Sequence, residues 1–324
     1  MAETLTGNAA EKKATRAAYG EALVEMLKLG IDLYAVDADV SGATTSAKLK
    51  AVDSRRHLNV GIAEQNMIGV AAGLSLAGKT VFTGSFAAFG TGRVYDQIRN
   101  TVCYANLNVK IAPTHAGISV GPDGGSHQMI EDIALMRVLP NMRVLVPADY
   151  QATKAALRIA ATTPGPFYIR MGRAPVAQTY GDTSGFALGK ACILREGCDV
   201  TIVACGVEVG LALDAAEQLA ERGVEAEVID AFCLKPLDGQ AILTSVEKTG
   251  AVVTAEEHSV IGGLGSAVAE LLAEHPGLAR ASLRRVGVQD RFGTSGEFDE
   301  LFGEYGLDAQ AIRDCVLQQC GIIQ

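Results

Sequence analysis

Short apolar runs alternate with longer segments of helical period along all 324 residues of the chain, a pattern that favours parallel sheets covered by helices. In the first half the strand-like runs are Leu33–Val36, Thr80–Thr83, Val109–Pro113, Arg143–Pro147 and Phe167–Arg170. Helical patterns lie near Thr15–Leu29, Ala63–Ala77, Arg93–Tyr104, Met129–Arg137 and Tyr150–Thr162. A second cycle has strands at Thr201–Cys205, Ala226–Phe232, Ala251–Glu256 and Ser282–Val288, with helices at Val209–Glu221, Gly239–Glu247 and Gly262–Ala273. Between the cycles, Gly172–Gly189 carries Pro175, Gly181 and Gly185 without a clear period. The expectation is an α/β protein of two consecutive parallel-sheet domains, 1–178 and 190–324, joined by a linker at 179–189. The length supports this, because single cores stop growing beyond about 250–300 residues.

Composition narrows the function classes. The hydrophobic fraction of 48% and charged fraction of 20% are those of an ordinary folded protein, and no apolar run reaches the roughly 20 residues that span a bilayer. The start, Met1 to Asn8, lacks a basic region followed by an apolar core, so a cytoplasmic address is expected and no membrane is implied. Seven cysteines without a Cys-x-x-Cys pair read as reduced thiols. A net charge of −9 argues against nucleic acid as a bulk partner, while leaving room for a small basic pocket that takes an anionic metabolite.

Two stretches carry the chemistry. In Leu58-Asn-Val-Gly-Ile-Ala-Glu-Gln-Asn-Met-Ile-Gly-Val-Ala-Ala-Gly73 a single carboxylate, Glu64, stands where an extended stretch meets a small-residue helix expected to be covered on most faces. A helix-terminal carboxylate favoured by the dipole explains it at about 0.3–1 kcal/mol, and a buried charge with a specific partner is the other reading. The second stretch, Ala112 to Glu131, follows a strand and precedes a helix, the place where open α/β sheets bind ligands. Its glycines and prolines allow tight turns that gather His115, Asp123 and His127, two of the five histidines among them. A third feature, Ile261-Gly-Gly-Leu-Gly-Ser-Ala-Val268, opens a helix after a strand; close helix packing is favoured over an anion site there, because the dinucleotide spacing is missing.

Gly61-Ile-Ala-Glu-Gln-Asn-Met67, Thr114-His-Ala-Gly-Ile-Ser-Val-Gly-Pro-Asp-Gly-Gly-Ser-His-Gln128 and Pro147-Ala-Asp149 together resemble the C-terminal half of a transketolase. The likeness covers nearly the whole chain, as a pyrimidine-binding domain followed by the family's C-terminal domain. It implies thiamine diphosphate as cofactor, with Glu64 hydrogen-bonding the aminopyrimidine and thereby helping its amino group to take the thiazolium proton. Ser85-Phe-Ala-Ala-Phe89 resembles the family's aromatic platform for that ring, Phe89 being the better match and Phe86 nearby. The family often has a further aromatic where this chain has Gly92, and Tyr95 stands one turn on.

The resemblance also implies that His115 lies near the cofactor and the reacting oxygens of the donor, that His127 contacts donor hydroxyls, and that Asp123 reads hydroxyl stereochemistry. Arg16 and Arg170 match arginines that hold a sugar phosphate. Absent from the chain is the Gly-Asp-Gly segment by which the family holds the diphosphate through Mg2+ or Ca2+. A split enzyme is therefore expected: a transferase of two-carbon ketol units from a ketose phosphate to an aldose, whose metal ligands belong to a separate N-terminal subunit in a dimer of heterodimers. The nearby alternatives are a 1-deoxyxylulose-5-phosphate synthase or a 2-oxoacid dehydrogenase β subunit, against which His115 discriminates, and a noncatalytic regulatory subunit.

Overall fold

The computed structural model describes residues 12–278 and 281–322, so the start read above for a leader lies outside the described residues. Two sheets organise the chain. The first has seven strands in the order Cys233–Lys235, Arg143–Leu145, Phe167–Ile169, Val109–Ile111, Thr80–Gly84, Leu33–Asp37 and His57–Asn59. Six of these strands run parallel, as buried apolar runs on both faces predict. The seventh, Cys233–Lys235, comes from the second half and pairs antiparallel with Arg143–Leu145. Its sequence carries no sign of that placement.

The second sheet has five strands in the order Ser282–Val288, Ala251–Ser259, Val200–Ala204, Ala226–Asp230 and Cys192–Arg195, all parallel except the last. One apolar cluster includes Phe82 and Leu145 of the first sheet and Phe232, Val253 and Val286 of the second half, so the two layers share a core. The segment between the cycles belongs to that seam. Tyr180 is buried, donates its hydroxyl hydrogen to Asp230 at 2.6 Å, and packs on Phe186, which in turn packs on Phe232.

Local signals fix the elements beside the site. Asp149 caps the helix Tyr150–Thr162 by accepting from the Ala152 N–H at 2.8 Å, and its other oxygen accepts from the N–H groups of Thr179 and Tyr180. The helix expected at Arg93–Tyr104 is π-helical over Gln97–Cys103, and a second π-helical stretch, Ala88–Gly92, precedes it. Such wider turns recur at functional sites. The helix Glu64–Leu76 is less covered than its apolar sequence suggests: Gln65, Asn66, Gly69, Gly73 and Leu76 form an exposed face. Its helical period leaves one stripe that the other described residues do not cover.

The glycine turn at Ile261 also resolves. A side chain on Gly263 would collide with Glu256, whose two carboxylate oxygens accept from the N–H groups of Leu264 and Gly265 at 2.7 and 2.8 Å. Close packing and an anion coincide there, the anion being the chain's own carboxylate, with its pKa raised by burial to about 7.

Candidate functional site

Glu64 sits at the first position of its helix, where the N-terminal dipole favours a negative charge. It is 5% exposed, and both its oxygens accept from Nη1 of Arg93 at 3.1 Å. The same guanidinium lies over the Phe89 ring, 4.3 Å from its centre. Phe89 and Arg93 are four residues apart, so the helical stretch brings them together, while Glu64 arrives from a separate element. Arg93 is 48% exposed, so solvent and salt limit this ion pair to about 1 kcal/mol or less.

From Phe89 the contacts continue into the loop. Its ring meets His127 edge-on at 5.1 Å, and Phe86 stacks on His115 at 3.9 Å. Phe86 also approaches the His127 ring, at 6.4 Å. His115 adopts a positive φ of 61°, a conformation that costs an ordinary residue about 1–3 kcal/mol and recurs where a side chain must be aimed. Its Nδ1 pairs with the Thr114 hydroxyl at 2.7 Å. Burial first, then the charges of Arg16 and Arg173, lower its pKa to about 3, so the imidazole is neutral at physiological pH.

The arginines fall into two groups. Arg16 is half-buried, donates from Nη1 to the Ala43 carbonyl at 2.8 Å and from Nε to the Arg173 carbonyl at 3.3 Å, and has its pKa lowered by burial and by the nearby Arg173 charge. Arg173 donates to the Val120 carbonyl and lies 3.8 Å from the partly exposed Asp123. The charges of both guanidinium groups act on His115 from the loop side. Arg170 has other partners. It is buried, with Nε 2.8 Å from Asp132, Nη1 3.4 Å from Glu257, and Nη2 donating to the Glu257 carbonyl at 2.8 Å. Burial alone would lower its pKa, and the Asp132 and Glu257 charges override that and raise it. Its donors are already engaged within the chain.

Arg93 and Arg173 join the site without a motif of their own in the sequence. The signal for Arg93 was its i+4 spacing from Phe89; that for Arg173 was the doubled arginine in Arg170-Met-Gly-Arg173, of which only burial tells the members apart. Tyr95, one turn on from Gly92, packs against the apolar core. Among the described residues no group of three or more His, Cys, Asp or Glu side chains is placed to hold a metal ion, and no helix is long and apolar enough to cross a membrane.

The site can therefore receive a planar, N–H-bearing aromatic group and, beside it, a polar ligand with an anionic end. The Arg93 guanidinium stands in for the first: it is planar, stacks on Phe89 and presents N–H to Glu64. An aminopyrimidine is likewise planar and stacks on an aromatic face, and its ring nitrogen can share a proton with a carboxyl group, so the residues fit that ring.

Comparison with known proteins agrees over almost the full length. Residues 11–178 match the family model for the transketolase pyrimidine-binding domain, and residues 189–312 match that for the transketolase C-terminal domain. A putative transketolase C-terminal section of Methanocaldococcus jannaschii is 48% identical over 95% of this chain and 96% of its own. A 6-deoxy-6-sulfo-D-fructose transketolase subunit of a Clostridium species is 46% identical, covering 92% of this chain and 91% of that one. Among solved structures, a split-gene transketolase described as an inactive β4 tetramer superposes with a TM-score of 0.87 at 46% identity, over 97% of this chain and all of that one.

Proposed function

Since the chain belongs to the transketolase family, we propose that it is the C-terminal subunit of a split, thiamine diphosphate-dependent transketolase that moves a two-carbon ketol unit from a ketose carrying a terminal anion to an aldose. The observation that carries the reading is the continuous contact from Glu64 through Arg93 and Phe89 to His127, and from Phe86 to His115. It joins a pyrimidine wall to a substrate loop. When bound, thiamine diphosphate supplies an electron sink for the carbon–carbon bond chemistry.

This chain's residues do the rest. Glu64 holds a proton at the pyrimidine ring nitrogen, and Phe89, supported by Phe86, carries the ring face. His115, kept neutral by its surroundings, accepts or donates a hydrogen bond at the donor's reacting oxygens, and His127 and Asp123 meet its hydroxyls. Arg16 and Arg173 take the terminal anion, because two adjacent guanidinium groups match a phosphate or sulfonate. Arg170 supports the loop from behind.

Mg2+ and the diphosphate fall to an N-terminal partner subunit, a reading that rests on the missing Gly-Asp-Gly segment. The exposed face of the Glu64–Leu76 helix, with Ile62 78% exposed beside it, suits such a partner, and a dimer of heterodimers in the cytoplasm completes the proposal. The test combines the chain with its candidate partner, thiamine diphosphate and magnesium, and follows ketol transfer. Transfer by the pair and none by either chain alone is expected; Glu64→Ala protein as active as wild type would sink the assignment. Pyruvate as donor separates the decarboxylating alternatives, and titration with the cofactor separates a noncatalytic subunit, which would not bind it.

A further inference from the structure

The substrate loop is built in the first domain but gripped by the second. Glu257, on the strand Ala251–Ser259, is 3% exposed and points away from its own sheet into the turn that follows His115. Its Oε1 accepts the Ser119 N–H at 2.5 Å, and its Oε2 lies 3.4 Å from Arg170 Nη1. The pairing register of its strand shifts between Ala255 and Ser259, an irregularity of the kind that re-aims side chains. Gly117 is confined by the same carboxylate: it has φ +79°, and a Cβ there would lie 2.2 Å from Glu257 Cδ.

A second grip holds the far end of the loop. Gln128 Nε2 reaches the Thr294 carbonyl at 2.9 Å as well as the Ile118 and Gly121 carbonyls of the loop itself. Gly125 and Gly293 allow the two backbones to meet, since a Cβ on Gly125 would fall 2.5 Å from the Gly293 carbonyl oxygen. Such approach is possible only without side chains.

We propose that Glu257 is a positioning residue for the donor site, holding the Gly117–Ser119 turn from the C-terminal domain so that His115 keeps its left-handed backbone and its aim. A carboxylate on a backbone N–H gives a short, directional bond, which a turn with two positive-φ residues, His115 and Gly117, needs in order to stay in one conformation. The C-terminal domain is thereby part of the substrate-binding machinery, although none of its side chains need touch the donor. This rests on the transketolase reading for its kinetic arm alone.

The test uses the full chain, with its partner, thiamine diphosphate and magnesium for kinetics, and by itself for amide hydrogen exchange. Glu257→Ala should raise the donor KM about tenfold or more while the acceptor KM and the cofactor Kd stay within about twofold, because Glu64 and Phe89 lie on other elements. Exchange of the peptide spanning 117–128 should accelerate about tenfold. Glu257→Gln, which retains an oxygen for the Ser119 N–H, should fall between wild type and alanine in both measurements, and it decides the matter if the alanine variant does not fold. A fall in kcat with unchanged donor KM and unchanged exchange would overturn the proposal, as would equal values for glutamine and glutamate. If the wild-type assembly transfers no ketol unit, the functional reading fails while the exchange result still judges the grip.

Discussion

Two carboxylate–guanidinium contacts in this molecule use the same chemistry to opposite ends. Arg93 and Glu64 meet at the proposed pyrimidine wall with the arginine 48% exposed, whereas Arg170 meets Asp132 and Glu257 in the seam between the sheets, all three side chains being 6% exposed or less. The first contact is exchangeable, since water can take the guanidinium back at little cost. The second is permanent, because removing one partner leaves a charge with neither water nor counter-ion. Burial, and not residue type, assigns one arginine to a place a ligand can take and the other to the scaffold.

Glu64→Ala should lower ketol transfer by about 10²-fold or more with little effect on folding, measured as kcat/KM of the assembly against its urea midpoint. Asp132→Asn or Arg170→Ala should show the reverse emphasis, destabilising the chain by about 3–5 kcal/mol in urea unfolding. A loss below about 1 kcal/mol would place the seam in the same class as the wall. At the anion end, Arg173→Ala should raise the KM for a phosphorylated donor by about tenfold or more while sparing a donor without the anion, corresponding to about 1.5–3 kcal/mol for a charged hydrogen bond.

Smaller effects sharpen the distinction. Arg93→Ala should change stability by less than about 1 kcal/mol and should strengthen cofactor binding by up to about fivefold, since the guanidinium no longer competes for Glu64 and Phe89. Calorimetric titration at two salt concentrations reads this, and weaker binding in the variant would make Arg93 a cofactor contact instead. The last expectation is a constancy. With its pKa lowered to about 3, His115 should show no titration of its ring proton signals between pH 5 and 8 by NMR. Its folded pKa is depressed, so its contribution to stability is complete above about 6.5 and is lost as pH falls toward 3.

Much of the fold could be read from the chain. The helix Tyr150–Thr162 and the strand Ser282–Val288 fall where periodicity places them, because apolar runs bounded by an Asp cap or by turns are local signals. The antiparallel strand Cys233–Lys235 could not be read, for its choice of the first sheet depends on an open edge about 90 residues away. The site shows the same division. Glu64, His115 and His127 stand out by residue type and setting, Phe89 only through the family resemblance, and the fold links them by contact. Arg170 and Arg173 are indistinguishable by residue type and separated by three positions, and only the second keeps its charge toward the loop.

Periodicity, capping and turn chemistry act over a few residues, and they make the two α/β cycles, the lone carboxylate opening a small-residue helix and the glycine-rich loop with two histidines legible in the chain. Only the packed fold leaves Arg173 beside Asp123 while burying Arg170, lays Arg93 across Glu64 and Phe89, and brings Glu257 onto the Ser119 N–H. Those outcomes depend on desolvation and on distances between segments far apart in the chain, and neither quantity exists until the two sheets pack together.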